Sequence, residues 1–435
     1  MWEQFLSNKR IGSSRPGSSS PGGDVLRSEF HKDYDRIIFS SAFRRLSDKT
    51  QVVPFPQSDY TRQRLTHSLE VSCVGRSLAT SVYAMAREQI PPWVSQGDFE
   101  AIVAAACLAH DIGNPPFGHF GERAIQDWAT SLLGDPRFDV LTPREKADLT
   151  LFEGNAQSFR VVTRLQMSNR PGGMRLTAAT LGALIKYPRC SDAGTERYKK
   201  HGCFADDAGL FADVFAHAGR QPDDRQQYAR HPLALLSEAA DDICYAIIDL
   251  EDGCRAGLIA VDQGLSLLED ICAGATGAAT MPEADRLSMG RAMVIGELVT
   301  QCVEVFRQHS EAILDGTFRG ALIDQVPAAV AYKATKRTAF ERVFNSERVL
   351  ELEASGYKAI QGLLTILTDA VLTDQPSSFD GHVCKLTRLA VDDEMSVYQR
   401  LLACTDIVSG MTDRFCIDLF RRLTGRDAPT VAFRG

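Results

Sequence analysis

The sequence has no long apolar run, no paired cysteines and no surplus of positive charge, and each lack removes a class of protein. Its apolar stretches are helix-length and broken by charge, and none approaches the ~20 residues of a membrane-spanning helix. The eleven cysteines among 435 residues are odd in number and scattered singly. That excludes a disulfide framework and predicts reduced thiols in a cytoplasm. The opening Met1-Trp2-Glu3-Gln4-Phe5 carries no signal-peptide apolar core, which agrees with a cytoplasmic protein. A net charge of −8 argues against a general nucleic-acid binder, which would be basic. It leaves room for a local basic pocket. Strand-like alternation is rare, and no internal repeat is evident.

What is present is ample core material: 44% of residues are hydrophobic and 24% charged, in a chain longer than one average domain. Apolar residues recur at three- and four-residue spacing over 30–46, 66–87, 99–109, 154–167, 233–251, 285–311, 349–372 and 395–422. The fold class read from this is all-α, with at most a short β-hairpin at 50–55. A Gly/Ser/Pro tract at 11–23 predicts a flexible N-terminal arm over 1–29. A helical core is expected over 30–260, with an irregular polar insertion at 187–227, and further helices over 261–435. A second mobile segment is expected around 372–380.

His110 and Asp111 are the most informative pair. Adjacent residues in mid-helix point about 100° apart, so they can share one ion only where the helix ends. The Ala-rich run up to Ala109 reads as helix, and Gly113 with Pro115-Pro116 stops it. His67 and Asp241 could complete the site. Two imidazoles and two carboxylates suit Mn²⁺, Fe²⁺, Ni²⁺, Co²⁺ or Mg²⁺. An adjacent His-Asp also arises by chance. Against chance stands the loop Asn114-Pro115-Pro116-Phe117-Gly118-His119-Phe120-Gly121-Glu122, whose prolines and glycines fix backbone as the positioning of reactive groups requires. His119 and Glu122 are three apart. On a helix starting near Phe120 they would face one way, and the carboxylate would set the imidazole's tautomer.

With Tyr34-Asp35-Arg36, Phe43-Arg44-Arg45-Leu46, Lys49-Thr50-Gln51-Val52, Arg64 to Val71, His110 to Glu122, Phe152-Glu153-Gly154-Asn155-Ala156-Gln157, Glu238 to Tyr245 and Ser409-Gly410-Met411-Thr412-Asp413, the chain resembles the deoxyguanosine triphosphate triphosphohydrolases. These belong to the HD-domain phosphohydrolase superfamily. The matching segments run through nearly the whole chain in family order.

The resemblance implies an HD-domain helical core with additional C-terminal helices completing the nucleotide pocket. It implies one divalent metal held by His67, His110, Asp111 and Asp241, with His119 and Glu122 as the catalytic pair. The substrate-binding residues it implies are Gln51, Val52, Arg64, Asn114, Asn155, Lys186, Lys200, Tyr245, Asp249 and Glu353. Asp241, Tyr245 and Asp249 are spaced to line one helix face, which without the resemblance reads as a solvated stripe. Lys199 and Lys200, in a polar loop, would likewise read as solvated lysines. Arg64, three residues before His67, can face the same ion. Lys186, Lys200 and Asn155 match positions that hold the triphosphate, and Asn114 lies in the rigid loop beside them. Tyr245 would press on C2′ of the sugar and exclude a 2′-hydroxyl, with Asp249 holding the sugar. Gln51 and Val52 match residues near the 3′-hydroxyl and base, and Glu353 a base contact. No counterpart of the guanine-selecting arginine falls between Ser378 and Arg388, so dGTP and several dNTPs both stand as substrates.

The implied reaction releases inorganic triphosphate and the deoxynucleoside. Two alternatives are a related phosphohydrolase acting on nucleoside monophosphates or cyclic nucleotides, and a non-catalytic nucleotide or nucleic-acid sensor. Family members are homo-oligomers, often hexamers, and some bind single-stranded DNA. No membrane partner is expected.

Overall fold

The computed structural model describes residues 2–13, 27–51, 62–169 and 171–426. Among them the fold is all-α, with paired backbone only as isolated bridges such as Thr50–Gln63 and Cys190–Cys203. The expected hairpin falls mostly on 52–55, and the Gly/Ser/Pro tract mostly on 14–23; both lie outside the described residues. No helix among the described residues is long and apolar enough to cross a membrane.

The helix Gln96–Ala109 lies at the centre. Ser95 caps it, its hydroxyl accepting from Asp98 N while the Asp98 carboxylate accepts from Ser95 N, a reciprocal pair that satisfies two orphan donors. Phe99, Ile102, Val103, Ala105, Ala106 and Leu108 are all fully buried. A helix apolar on every side belongs inside a core, and here it is surrounded by Glu29–Ile38, Arg64–Ala86, Ala178–Leu184 and Pro232–Arg255. A second apolar cluster joins Gly118–Leu132 to Glu347–Leu372, Val397–Ser409 and Asp413–Leu423. A third gathers Ile37, Phe43, Leu108, Phe159 and Phe211.

The first residues are no free arm, contrary to expectation. Trp2, Phe5 and Leu6 are buried, and Trp2 stacks at 6.4 Å on Phe306. These large apolar side chains precede the Gly/Ser/Pro tract, and burial outweighs the tendency of a terminus to fray. The 187–227 segment is also more ordered than its composition suggests. It contains the helix Ala208–His217, and its loops are gathered around the buried Arg189 guanidinium, which donates to the carbonyls of Cys190, Ser191, Ala193, Tyr198, Lys199 and Lys200. At 372–380 a short connection leads into the helix Ser378–Thr387, capped by Ser377 and Asp380.

Two expected long helices are broken. The 30–46 helix becomes Glu29–Ile38 and Ser41–Arg45, because Ser40 caps the second piece by accepting from Phe43 N. The 395–422 helix becomes Val397–Ser409 and Asp413–Leu423, because the Thr412 hydroxyl accepts from Phe415 N. A side-chain oxygen offers the backbone an alternative to the helical ladder, and apolar periodicity does not register it.

Candidate metal centre and active site

The backbone opens after Ala109 because of Ser158 and Gly113. The Ser158 hydroxyl donates to the His110 carbonyl (3.0 Å) and accepts from Gly113 N (3.0 Å). A Cβ on Gly113 would meet Ser158 N at 2.1 Å, so only glycine lets the two segments approach. The helix therefore ends at His110, and Asp111 sits in the turn behind it.

Three elements now converge. His67 projects from Arg64–Ala86, His110 and Asp111 from the turn, and Asp241 from Pro232–Arg255. His67, His110 and Asp111 offer ligand atoms within 4.8 Å of one another. Asp241 Oδ1 lies 3.3 Å from His67 Nε2 and 3.5 Å from His110 Nε2. The His110 ring is oriented from behind, Nδ1 lying 2.6 Å from the Cys107 carbonyl. A proton on Nδ1 leaves the buried Nε2 lone pair facing the cluster without a hydrogen-bond partner, the arrangement in which metal-binding histidines are held. The Asp111 carboxylate accepts from Arg64 Nη1 at 2.5 Å and from Asn114 Nδ2.

The electrostatics fit a cation. Burial would lower the His110 pKa, but the carboxylates of Asp111 and Asp241 raise it to about 9. Burial would raise that of Asp111, but Arg64, His110 and His67 hold it at about 2. Both carboxylates are thus ionised, in a field that favours positive charge at His110 Nε2, whether a proton or a cation that displaces it. A divalent ion answers that field, and the mixed N/O donor set with an orphaned imidazole nitrogen fits one.

Around this cluster lie the candidate phosphate ligands. Lys186 Nζ is 3.7 Å from Glu238 and 3.8 Å from Asp241. Lys200 Nζ is 3.0 Å from Glu153 Oε1, which also accepts from Asn155 Nδ2 at 2.8 Å. His119 Nδ1 lies 2.7 Å from Glu122 Oε2, and Glu122 Oε1 accepts from Gly154 N at 2.7 Å. Burial would raise the Glu122 carboxyl, but His119 and Lys200 hold it below its usual range. The His119 side chain is 76% exposed, so its free nitrogen is open to a ligand. The helix carrying both begins at Gly118, slightly earlier than expected.

The stripe Asp241, Tyr245, Asp249 does line one helix face, but its far end is buried. Asp249 is 0% exposed, and both its oxygens lack a hydrogen-bond partner. Burial and the charges of Asp252 and Asp241 push its carboxyl far above the usual range. Tyr245 stacks on Phe344 at 5.9 Å, under the Lys336 ammonium. Gln51 is buried with Oε1 unpartnered. Val52 lies outside the described residues. Glu353 sits on Glu347–Leu372, its carboxyl raised by burial.

Sequence reasoning passed over four residues that build this site: Glu153, partner of Lys200 and Asn155; Arg189, which gathers the Lys200 loop; and Lys49 and Asp413. Lys49 Nζ donates to the Asn114 and Ser409 carbonyls. Asp413 accepts from Thr50 N (2.9 Å) and Phe117 N (3.0 Å). The available signal was their place in quoted segments, apart from Arg189, which sits in the insertion.

An HD domain family model matches residues 64–142, and a phosphohydrolase-associated domain model matches 324–422. A deoxyguanosinetriphosphate triphosphohydrolase-like protein of Pseudomonas aeruginosa is 39% identical, covering 99% of this chain and 100% of the relative. One from Synechocystis sp. is 38% identical, covering 98% and 99%. The deoxyguanosinetriphosphate triphosphohydrolase of Serratia proteamaculans is 31% identical, covering 94% and 96%.

Proposed function

The chain belongs to the deoxyguanosinetriphosphate triphosphohydrolase family of HD-domain phosphohydrolases, and from that premise we propose that it hydrolyses deoxynucleoside triphosphates to deoxynucleoside and inorganic triphosphate. The observation that carries the reading is the convergence of His67, His110, Asp111 and Asp241, with Lys186 beside them and His119–Glu122 in the first turns of the helix Gly118–Leu132. These four side chains would hold one divalent ion: Mn, Mg, Fe, Ni or Co. When bound, such an ion supplies Lewis acidity to the α-phosphate and makes hydroxide available near neutrality.

The chain's own residues do the rest. Arg64, already fixed on Asp111, points a guanidinium at the phosphate side of the ligand set. Lys200 and Asn155 are held in the free protein by Glu153, and Lys186 by Glu238. An arriving polyphosphate replaces those carboxylates as the partner of each donor, with Asn114 beside them. Positioning and charge neutralisation supply most of the rate in phosphoryl transfer. Glu122 accepts the proton on His119 Nδ1, so His119 Nε2 can take or give a proton at the reacting oxygens, including the 5′-oxygen that leaves. The Tyr245 ring would close the space a 2′-hydroxyl needs. Asp249 and Gln51 would satisfy their open hydrogen-bonding positions on the sugar, with Val52 and Glu353 toward the base.

The test is incubation with each dNTP and with Mn²⁺ or Mg²⁺, followed by separation of products. Tripolyphosphate supports the reading. Orthophosphate, or four intact nucleotides, sinks it. Elemental analysis names the metal. The proposal extends to a cytoplasmic homo-oligomer, of six copies in the family manner, read by analytical ultracentrifugation. It extends also to single-stranded DNA binding, read by salt-dependent retention on an oligonucleotide.

A further inference from the structure

Phe117 and Gly118 form a left-handed turn immediately before His119, with φ of 60° and 58°. For Phe117, which carries a Cβ, this conformation is costly, and such strain persists only where surrounding structure over-determines it. The surroundings come from the far end of the chain. Asp413, 2% exposed, accepts from Phe117 N with Oδ1 (3.0 Å) and from Thr50 N with Oδ2 (2.9 Å). The Phe117 ring fills the notch at Gly356, where a Cβ would meet ring carbons at 2.4–2.6 Å. Lys49 adds a third tie, joining the Asn114 carbonyl to that of Ser409.

We propose that Asp413, with Gly356 and Lys49, is a positioning device by which the C-terminal helices hold the Phe117–Gly118 turn and so aim His119. The proposal rests on His119 acting at the reacting oxygens, and it gives the Ser409–Asp413 segment a task. The geometry gives the reason for a break at 410–412. A continuous helix would carry Asp413 onward along the Val397–Ser409 axis, whereas the break makes it the first residue of a new helix, under the turn. The same carboxylate fixes Thr50, the neighbour of Gln51, so one side chain sets both the catalytic loop and a sugar-side residue. Asp413 touches no reacting atom; it acts through Phe117.

The experiment compares wild type with Asp413→Asn, Asp413→Ala and Gly356→Ala. Mn²⁺ affinity by calorimetry should stay within about threefold, because none of the four proposed ligands is held by Asp413. With dGTP, kcat should fall by on the order of 10²-fold in Asp413→Ala, the cost of misplacing a catalytic group by about 1 Å, and KM should move little. Asp413→Asn, which keeps one acceptor, should recover part of that loss. In a His119→Ala background Asp413→Ala should cost almost nothing further, since two residues acting as a unit are not additive. Additive losses overturn the proposal, as does loss of Mn²⁺ binding in step with activity. Hydrogen exchange of the 113–122 segment provides a readout free of turnover: Asp413→Ala should speed it about tenfold or more, and unchanged exchange overturns the proposal. If wild type leaves every dNTP intact, the proposed function fails, and hydrogen exchange alone decides the clamp.

Discussion

Arg64 and Asp111 are joined at 2.5 Å across the floor of the metal cluster. The guanidinium therefore neutralises a carboxylate that also faces the ion, and it remains cationic toward a phosphate. Arg64→Lys removes the planar fork while keeping the charge. We expect kcat/KM to fall about 10–100-fold, roughly 1.4–2.7 kcal/mol of transition-state stabilisation, with little change in metal content. A variant equal to wild type would remove Arg64 from phosphate recognition.

Metal removal should abolish tripolyphosphate release and lower the melting temperature. Binding at 100 times Kd stabilises a fold by about 2.7 kcal/mol. Asp241→Asn should lower metal occupancy, measured by elemental analysis after dialysis. Full occupancy in that variant would take Asp241 out of the ligand set.

His119→Ala should lower kcat by about 10²–10⁴-fold and leave metal content and melting temperature unchanged, because the side chain is largely solvent-exposed. Glu122→Gln keeps an acceptor for Gly154 N but loses the charge facing His119. Its kcat should fall by on the order of 10²-fold with metal content unchanged, and a rate equal to wild type would separate Glu122 from the proton transfer.

Tyr245→Ala should raise turnover of ribonucleoside triphosphates relative to deoxynucleotides by at least about tenfold, near the range of a missing steric contact. An unchanged ratio would place sugar selection elsewhere.

His231 gives the fold a pH dependence of its own. It caps the helix carrying Asp241: Nδ1 accepts from Leu233 N (3.2 Å), and Nε2 donates to the Phe5 carbonyl (2.8 Å). Burial lowers its pKa to about 4, against about 6.5 unfolded. The folded chain thus favours the neutral ring. The stabilisation is complete above about pH 6.5 and disappears as pH falls from there toward 4, on the order of 3 kcal/mol in all. Denaturant unfolding at pH 7 and pH 5 should show the drop, and His231→Asn should flatten that part of the slope. Equal slopes would refute the assignment.

The helices and the His110–Asp111 turn were legible because both are written in local pattern, whereas His67 and Asp241 were joined to that turn through the family resemblance. Apolar periodicity marked Arg64–Ala86 and Pro232–Arg255 to within a few residues, and a helix stop after Ala109 was forced by Gly113 and two prolines. What stayed hidden depends on partners far along the chain. Asp413 meets Phe117 across 296 positions, and nothing local distinguishes it from any acidic residue at a helix start. Arg189 looked like one more charge in a polar insertion, because the carbonyls it serves carry no side-chain signature. The opening residues misled by proximity to a glycine-rich tract.

The seat of Trp2 against Phe306 has a consequence for synthesis. The indole also meets Phe99 edge-on at 5.4 Å, but its stacked partner lies some three hundred positions further along the chain. This part of the interior closes only once Phe306 has been synthesised, so it cannot be completed in N-to-C order.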